Sequence, residues 1–273
     1  MTFQQKLCDT IASRQSNLCV GLDPDPARLP ELFHRYDDPL GVFLKLVIES
    51  VGDLVCAFKP NFAFFEAQGE QGWRLLREVV RLVPSGVLTI ADAKRGDIGN
   101  TARAYARAIY DDLGFDSVTL NPLMGYDSLE PFLAYTERGV FVLVLTSNPG
   151  AADFQLLETA RGPLYLQILQ KVLEWNQQDN LGAVVGATHP AMLKGIRELA
   201  PDLPLLLPGI GSQGGDLEAT VAGAAPTAHA PFLVNVSRAV LYPQGTGDFQ
   251  QLVRAQAEHY RDSINQAGKQ HDV

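Results

Sequence analysis

Short apolar runs alternate with longer amphipathic segments along the whole chain. The runs have the length of buried strands and cover residues 18–23, 55–61, 86–94, 116–121, 140–147, 181–187, 203–209 and 231–237. The segments between them place apolar residues at helical spacing and cover residues 39–53, 66–82, 98–112, 126–138, 161–178, 190–199, 214–223 and 247–267. The pattern therefore predicts eight strands, each followed by a helix.

This order of elements predicts an α/β fold. Strands that are apolar on both faces are typical of a parallel sheet covered by helices. Eight βα units favour a closed (β/α)8 TIM barrel over an open sheet, and such barrels run to about 250 residues as one unit. No composition break or repeat marks a linker, so we expect one catalytic domain over residues 1–273. The segment before the first strand would be an extra helix that closes the bottom of the barrel.

Composition and charge narrow the possible partners and the compartment. The chain has 273 residues, of which 46% are hydrophobic, and a net charge of -9. This negative net charge predicts that the protein binds neither nucleic acid nor anionic membranes. Three cysteines are too few for a disulfide framework and are typical of a reducing cytoplasm. We see neither a signal peptide nor an apolar run of about 20 residues that could span a membrane.

Polar side chains recur at the ends of the predicted strands, where barrel enzymes place their chemistry. Each of these residues alone could be an ordinary loop residue, but together they predict an active site at this end of the barrel, here called the mouth. They are Asp23, Lys59, Asp92, Lys94, Asn121, Ser147 and Arg238.

The densest group lies in "DAKRGDIGNTA", residues 92–102, directly after the apolar run "GVLTIA". Charges at the end of a buried strand are costly unless they pair or do chemistry. Because side chains alternate along a strand, Asp92 and Lys94 should share a face that Lys59 can join, whereas Arg95 should point elsewhere. A lysine flanked by carboxylates keeps its proton, which favours a proton donor over a Schiff-base nucleophile. The alternative is a structural ion pair at the rim.

A second signal is "PGIGSQGGD", residues 208–216, after the seventh strand. Its glycines, Gly211 among them, free backbone N–H groups to bind an anion before a helix begins. Arg238 follows the eighth strand, and loops after strands seven and eight form the usual phosphate site of these barrels. We therefore expect a phosphate site here, the alternative being a flexible turn.

The remaining candidates predict little chemistry. His189 is interpreted as a loop or helix-start residue, and Cys56 as a core residue. The five histidines are scattered without ligand spacing, so no zinc site is expected. The first strand is followed by neither a Walker motif nor GxGxxG, so no dinucleotide cofactor is indicated.

The stretch "DAKRGDIGNTA" resembles the D-x-K-x-x-D signature of the orotidine 5'-phosphate decarboxylases, in the longer form of the bacterial type 2 branch. Further stretches resemble the family in the expected order, namely "VGLDPDP", "FKPNFAFFE", "TLNPLMGYDS", "LTSNPGA", "PGIGSQGGD" and "VSRAV". The resemblance implies a homodimeric (β/α)8 barrel that converts orotidine 5'-monophosphate to UMP and carbon dioxide. This is the last step of de novo pyrimidine synthesis and needs neither cofactor nor metal.

The resemblance also implies roles for individual residues. Lys94 would deliver a proton to C6 of the pyrimidine, Asp92 would face the substrate carboxylate, and Lys59 would link the ribose to the charged network. Asp97 and Thr101 would reach the site of the partner subunit. From the sequence alone, Asp97 could equally be the N-cap of the following helix.

The same comparison implies a set of substrate contacts. Asp23 would bind a ribose hydroxyl, Ser147 would hydrogen-bond the pyrimidine amide, and Gln213 with Arg238 would hold the phosphate. Asn121 joins the substrate-binding set without a defined role. The Gly-rich loop and the segment 148–162 are the candidate lids.

Two rival functions stay open at this point. A sister barrel enzyme, a magnesium-dependent sugar-phosphate decarboxylase or hexulose-phosphate synthase, carries the same charged signature. Such enzymes usually have a metal-binding glutamate on the preceding strand, where this chain has Lys59, and Glu66 lies farther on in a predicted helix. The other rival is a non-catalytic nucleotide-phosphate binding protein, which would need no proton donor.

Overall fold

The predicted barrel is present in a computed structural model of the chain, which describes residues 1–211, 215–225 and 231–269. Within these residues, parallel strands pair in chain order and close into a barrel. They are β1 (Leu18–Leu22), β2 (Ala57–Pro60), β3 (Leu88–Arg95), β4 (Ser117–Leu120), β5 (Gly139–Leu145), β6 (Leu181–Val185), β7 (Leu205–Pro208) and β8 (Phe232–Val236). The prediction of a (β/α)8 barrel is therefore confirmed.

Helices precede, separate and follow the strands. They are α1 (Phe3–Arg14), α2 (Pro39–Val51), α3 (Phe62–Glu66), α4 (Gly69–Leu82), α5 (Gly99–Arg107), α6 (Tyr126–Leu133), α7 (Ala151–Phe154), α8 (Leu164–Trp175), α9 (Pro190–Leu199), α10 (Leu217–Ala224), α11 (Arg238–Leu241) and α12 (Phe249–Lys269). Residues 158–159 and 162–163 form a small antiparallel hairpin between α7 and α8. No helix of the described ranges is both long enough and apolar enough to cross a membrane.

The predicted helix 66–82 is wrong at its start, because two helices meet there. α3 ends at Glu66, and Gly69 begins α4 with a φ of +61°, a conformation that favours glycine. A Cβ atom on Gly72 would come within 1.7 Å of the carbonyl oxygen of Phe65, so the glycine lets the two helices pack closely. The predicted helix 98–112 likewise changes to a π-helical turn after Arg107, and the predicted helix 126–138 ends at Leu133.

Helix α1 closes the end of the barrel opposite the mouth. Phe3 and Leu7 are fully buried against the apolar residues that fill the barrel interior. The Phe3 ring stands edge-on to the Phe141 ring at 5.9 Å between centroids. It also fills the space that a Cβ atom on Gly139 would need, at 2.3 Å. The barrel interior next to α1 is therefore a packed core.

Candidate active site

A cavity of about 370 Å³ opens at the carboxyl ends of the strands. Polar side chains on or after β1 to β4 form one wall, and apolar side chains of β5 to β7 form another. Further polar groups come from the segments after β5 and at the end of β8. A ligand with one apolar face and several polar groups therefore fits this cavity. The polar wall contains Asp23, Lys59, Asn61, Asp92, Lys94 and Thr119, and the apolar wall contains Leu143, Val184 and Leu206.

The predicted cluster of Lys59, Asp92 and Lys94 forms a continuous chain of opposite charges. The Lys59 ammonium lies 2.5 Å from one carboxylate oxygen of Asp92, and the Lys94 ammonium lies 2.5 Å from the other. The side chains of Lys59 and Asp92 are 5% and 9% exposed, whereas that of Lys94 is 50% exposed. Lys94 is therefore the member of the chain that a ligand in the cavity can reach.

Burial and the neighbouring charges shift the pKa values of Lys59 and Asp92 in opposite directions. Burial alone would raise the pKa of Asp92, but the Lys59 and Lys94 ammonium groups outweigh it and hold that pKa well below its usual range. Burial alone would lower the pKa of Lys59, but the carboxylates of Asp92 and Asp23 outweigh it and raise that pKa. At neutral pH Asp92 is therefore a carboxylate and Lys59 an ammonium.

The cluster sits on a bulge of β3. Ala91 lies opposite Val118 and Arg95 lies opposite Leu120, so the three residues between Ala91 and Arg95 face the single residue Thr119 of β4. Lys94 has a φ of +47°, which is uncommon for a residue with a side chain. Strict alternation predicted that Asp92 and Lys94 share a face, and the structure brings them together through this bulge.

Arg95 points away from the cavity, as predicted. Its guanidinium forms an ion pair with Glu66 and lies 5.5 Å from the centre of the Phe62 ring and 5.2 Å from that of Tyr105. Glu66, which could have served as a metal ligand, is therefore engaged outside the cavity. Across the described ranges, no three His, Cys, Asp or Glu side chains are grouped so that they could hold a metal ion.

Asp23 follows β1 and offers an unused acceptor at the cavity wall. Its Oδ1 atom is buried and has no hydrogen-bond partner among the described residues. Its backbone carbonyl accepts a hydrogen bond of 3.1 Å from the Tyr242 hydroxyl, which in turn accepts one of 2.8 Å from the Asp25 N–H. Buried polar atoms are normally paired, so this oxygen is suited to accept a hydrogen bond from a ligand hydroxyl.

The predicted phosphate region is described only in part. Gly209, Ile210 and the exposed Arg238, the first residue of α11, line the cavity. Gly211 adopts a φ of +83° and lies outside the cavity wall. Gln213 lies outside the described residues.

Ser147 lines the cavity after β5, in a loop that is bonded to the turn after β6. The Thr188 hydroxyl donates to the carbonyl oxygen of Ser147 at 3.2 Å, and a ring N–H of His189 donates to that of Thr146 at 3.1 Å. His189, predicted to be a loop or helix-start residue, occupies the N-cap position of α9. It therefore fixes the loop that carries Ser147.

Asp97, Thr101 and Asn121 do not line the cavity of their own chain. Asp97 accepts a hydrogen bond of 2.8 Å from the N–H of Ile98, and Thr101 is exposed on α5. Asn121 accepts a hydrogen bond of 3.1 Å from the N–H of Leu123 and so caps a short 3-10 turn. Ile98 occupies the N-cap position of α5, and its side chain makes no capping hydrogen bond. Asp97 is therefore not the N-cap of that helix.

Six polar residues that line the cavity were missed in the sequence. Side chains two positions apart on a strand share a face, so the alternation that placed Asp92 with Lys94 would also have placed Asn61 with Lys59. The same alternation would have directed side chains near the end of β8 into the cavity. There the Asn235 amide donates to the Ser237 hydroxyl at 3.3 Å. The missed residues are Asn61, Thr119, Thr146, Asn148, Asn235 and Ser237.

Comparison with known proteins identifies the family. Residues 16–245 match the family described as "Orotidine 5'-phosphate decarboxylase / HUMPS family". The chain is 50% identical over 270 residues to the orotidine 5'-phosphate decarboxylase of Roseiflexus castenholzii, covering 98% of both chains. It is 46% identical over 273 residues to that of Thermomicrobium roseum, covering 99% of this chain and 97% of the other.

A solved structure agrees with these relatives. The crystal structure of a putative orotidine-monophosphate-decarboxylase from Toxoplasma gondii superposes with a TM-score of 0.91 at 36% identity, and the match covers 99% of this chain and 98% of that one. Sequence, fold and the charged cluster at the barrel mouth point to one assignment: the chain belongs to the orotidine 5'-phosphate decarboxylase family.

Proposed function

We propose that this carboxy-lyase, which converts orotidine 5'-monophosphate to UMP and carbon dioxide, acts directly, without a cofactor and with Lys94 as the proton donor to C6. The observation that carries the proposal is the half-exposed ammonium of Lys94, held 2.5 Å from the buried Asp92 carboxylate. Asp92 is in turn paired with the buried ammonium of Lys59. A fixed proton donor therefore faces the cavity.

The charges suit the proposed reaction. Loss of carbon dioxide leaves negative charge on C6, and a preorganised ammonium at Lys94 stabilises that charge before it transfers its proton. Asp92 would repel the substrate carboxylate by ~4 kcal/mol if the two charges were about 4 Å apart at an effective dielectric of about 20. This repulsion ends when neutral carbon dioxide leaves. We assign the larger effect to Lys94, because it acts on charge that develops in the transition state.

The other cavity residues would orient the substrate. We assign Asp23 and Lys59 to the ribose, Ser147 to the pyrimidine amide, and Arg238 with the Gly-rich loop to the phosphate. Asp23 has a free buried acceptor, and Arg238 supplies a positive charge at the rim. Phosphate binding far from C6 holds the reacting ring in place and so aids the chemical step.

We further propose a homodimer in which Asp97 and Thr101 complete the site of the partner subunit. Neither residue lines the cavity of its own chain. Ile98, next to Asp97 in the chain, is 49% exposed, and Leu123 and Met124 on the loop after β4 are 71% and 48% exposed. The two loops meet where Gly96 lies beside Asn121. Exposed apolar groups of this kind favour a protein interface. A two-fold dimer would use the same surface twice and contain two identical sites.

A cytoplasmic location completes the proposal. Cys8, Cys19 and Cys56 are free thiols, and the last two are buried. Burial raises the pKa of Cys19 to about 12, so this thiol stays protonated and unreactive at neutral pH. Free thiols without disulfides are typical of a reducing compartment.

The test is turnover of orotidine 5'-monophosphate, followed by the loss of its ultraviolet absorbance and by identification of UMP. Wild-type protein should turn over in the presence of EDTA. The Lys94→Ala variant should retain its fold but lose nearly all activity, because it lacks the proton donor. Activity within about tenfold of wild type in this variant would contradict the role of Lys94. A requirement for magnesium together with turnover of a sugar phosphate would favour the sister enzymes of the same barrel superfamily.

A further inference from the structure

We propose that Thr119 is a positioning residue, whose hydroxyl holds both Lys94 and Asp92 in their reactive arrangement. The inference rests on the proposed role of Lys94 as proton donor. Thr119 lies on β4, is 2% exposed and borders the cavity. It lies directly opposite the bulge that carries the two charged residues.

The bulge creates a need for a hydrogen-bond partner. Three residues of β3 face one residue of β4, so the regular ladder of backbone hydrogen bonds is interrupted there. The backbone N–H of Lys94 donates instead to the Thr119 hydroxyl oxygen at 3.0 Å. This bond holds the backbone of Lys94 at its uncommon φ of +47°, which directs the side chain toward Asp92.

The same hydroxyl also acts on the carboxylate. It donates its single hydrogen to Oδ1 of Asp92 at 3.1 Å, the oxygen that also accepts the Lys94 ammonium. The Thr119 hydroxyl therefore accepts a hydrogen bond from the backbone of Lys94 and donates one to the side chain of Asp92. A valine would fill nearly the same space but could make neither bond, so the need here is for the hydroxyl and not for the shape.

The chain contains a matched control at the opposite end of the barrel. Thr89, on β3 and 4% exposed, accepts a hydrogen bond of 3.0 Å from the backbone N–H of Asp116 and donates one of 3.0 Å to its carboxylate. The two threonines thus make the same pair of bonds, but only Thr119 makes them to the charged cluster. Substituting each by valine separates a loss of stability from a loss of positioning.

The experiment compares Thr119→Val, Thr119→Ser and Thr89→Val with wild type. We measure kcat and KM for orotidine 5'-monophosphate, the Kd of UMP and the melting temperature. Thr119→Val should lower kcat by about tenfold or more, because a hydrogen bond to a charged group is lost, while KM and the Kd of UMP change by less than about threefold. Thr119→Ser should keep most of the wild-type kcat, and Thr89→Val should lower the melting temperature but leave kcat within about twofold.

Three results would overturn the inference: a kcat for Thr119→Val within about threefold of wild type, an equal loss in Thr119→Ser, or an equal loss in Thr89→Val. If Thr119→Val does not fold, Thr119→Ala replaces it, with the same expectations. Wild-type turnover and the Lys94→Ala variant test the proposed function separately. If the proposed function is wrong, the wild-type and Lys94→Ala measurements reveal it. If only the inference about Thr119 is wrong, those measurements agree with the proposed function and only the comparison of Thr119 and Thr89 variants contradicts the expectation.

Discussion

The side chain at the centre of the site is Asp92. A buried carboxylate is tolerated only if it is paired, and this one accepts from Lys59, Lys94 and the Thr119 hydroxyl. The pairing keeps Asp92 ionised and keeps both lysines in place. The same contacts that make the cluster tolerable in the core therefore arrange it for proton transfer.

Asp92→Asn should lower the free energy of unfolding by on the order of 3–5 kcal/mol at pH 7, because it leaves the buried Lys59 with a weaker partner. The folded-state pKa of Asp92 is lowered, so its stabilising effect is present above its unfolded pKa of about 3.9 and is lost as the pH falls through the lower folded pKa. Denaturant unfolding of both proteins between pH 7 and pH 3 checks this. The difference should stay constant down to about pH 4 and shrink below it. A difference that disappears near pH 6 would mean that Asp92 binds a proton there.

Arg238→Ala should reduce kcat/KM for orotidine 5'-monophosphate by on the order of a hundredfold, because a charge-assisted contact to the phosphate is lost. Arg238 lines the cavity at the start of α11 and is exposed, so the substitution should leave stability nearly unchanged. Orotidine, which lacks the phosphate, serves as the control substrate. An equal slowing of orotidine and its monophosphate would show that Arg238 does not contact the phosphate.

At the scale of elements, the two ends of the barrel have different tasks. The carboxyl ends of the strands carry the charged cluster, and the other end is filled by α1. The parallel strands all point the same way, so residues that follow different strands converge at one mouth. The end closed by α1 therefore contributes apolar packing, and the mouth carries the residues of the proposed chemistry.

Phe3→Ala tests this separation. Phe3 is 1% exposed and packs against Phe141, so its loss should lower the free energy of unfolding by about 3–5 kcal/mol. At a temperature where the variant is folded, kcat should stay within about twofold of wild type, because the change lies at the closed end. Phe154→Ala, at a residue that is 65% exposed, is the control and should change stability little. A loss below about 1 kcal/mol for Phe3→Ala would show that α1 contributes little to the closure.

At the scale of the whole molecule, the question is whether one chain contains a complete site. The cavity holds Lys59, Asp92 and Lys94 of one chain, but Asp97 and Thr101 lie outside it. The fold therefore divides the sequence cluster "DAKRGD", because Asp92 and Lys94 line the cavity whereas Asp97 lies outside it. This split agrees with the proposed contribution of Asp97 to a partner subunit.

Mixing Asp97→Ala and Lys94→Ala proteins, with unfolding and refolding together, should restore activity to about a quarter of wild type. Random pairing makes about half of the dimers mixed, and each mixed dimer contains one site with both groups intact. The control mixes Asp92→Asn with Lys94→Ala. These two residues are bonded within one chain, so no intact site can form. If the first mixture stays inactive although mass spectrometry finds mixed dimers, Asp97 does not serve a partner.

The amino-acid sequence by itself determined the barrel and the charged cluster at its mouth. Apolar runs and helical spacing are local patterns, and the ends of eight strands locate the polar residues without knowledge of any contact. The convergence of Lys59, Asp92 and Lys94 was predictable for this reason, as was the outward direction of Arg95.

Only the tertiary structure decided how these residues are held. The bulge of β3 depends on its pairing with β4, and the hydroxyl of Thr119 matters only because that pairing brings it to Lys94. The break between α3 and α4 depends on the contact of Gly72 with Phe65, and the exclusion of Asp97 from the cavity depends on the turn after the bulge. These features arise from contacts between separate elements, which no local periodicity records.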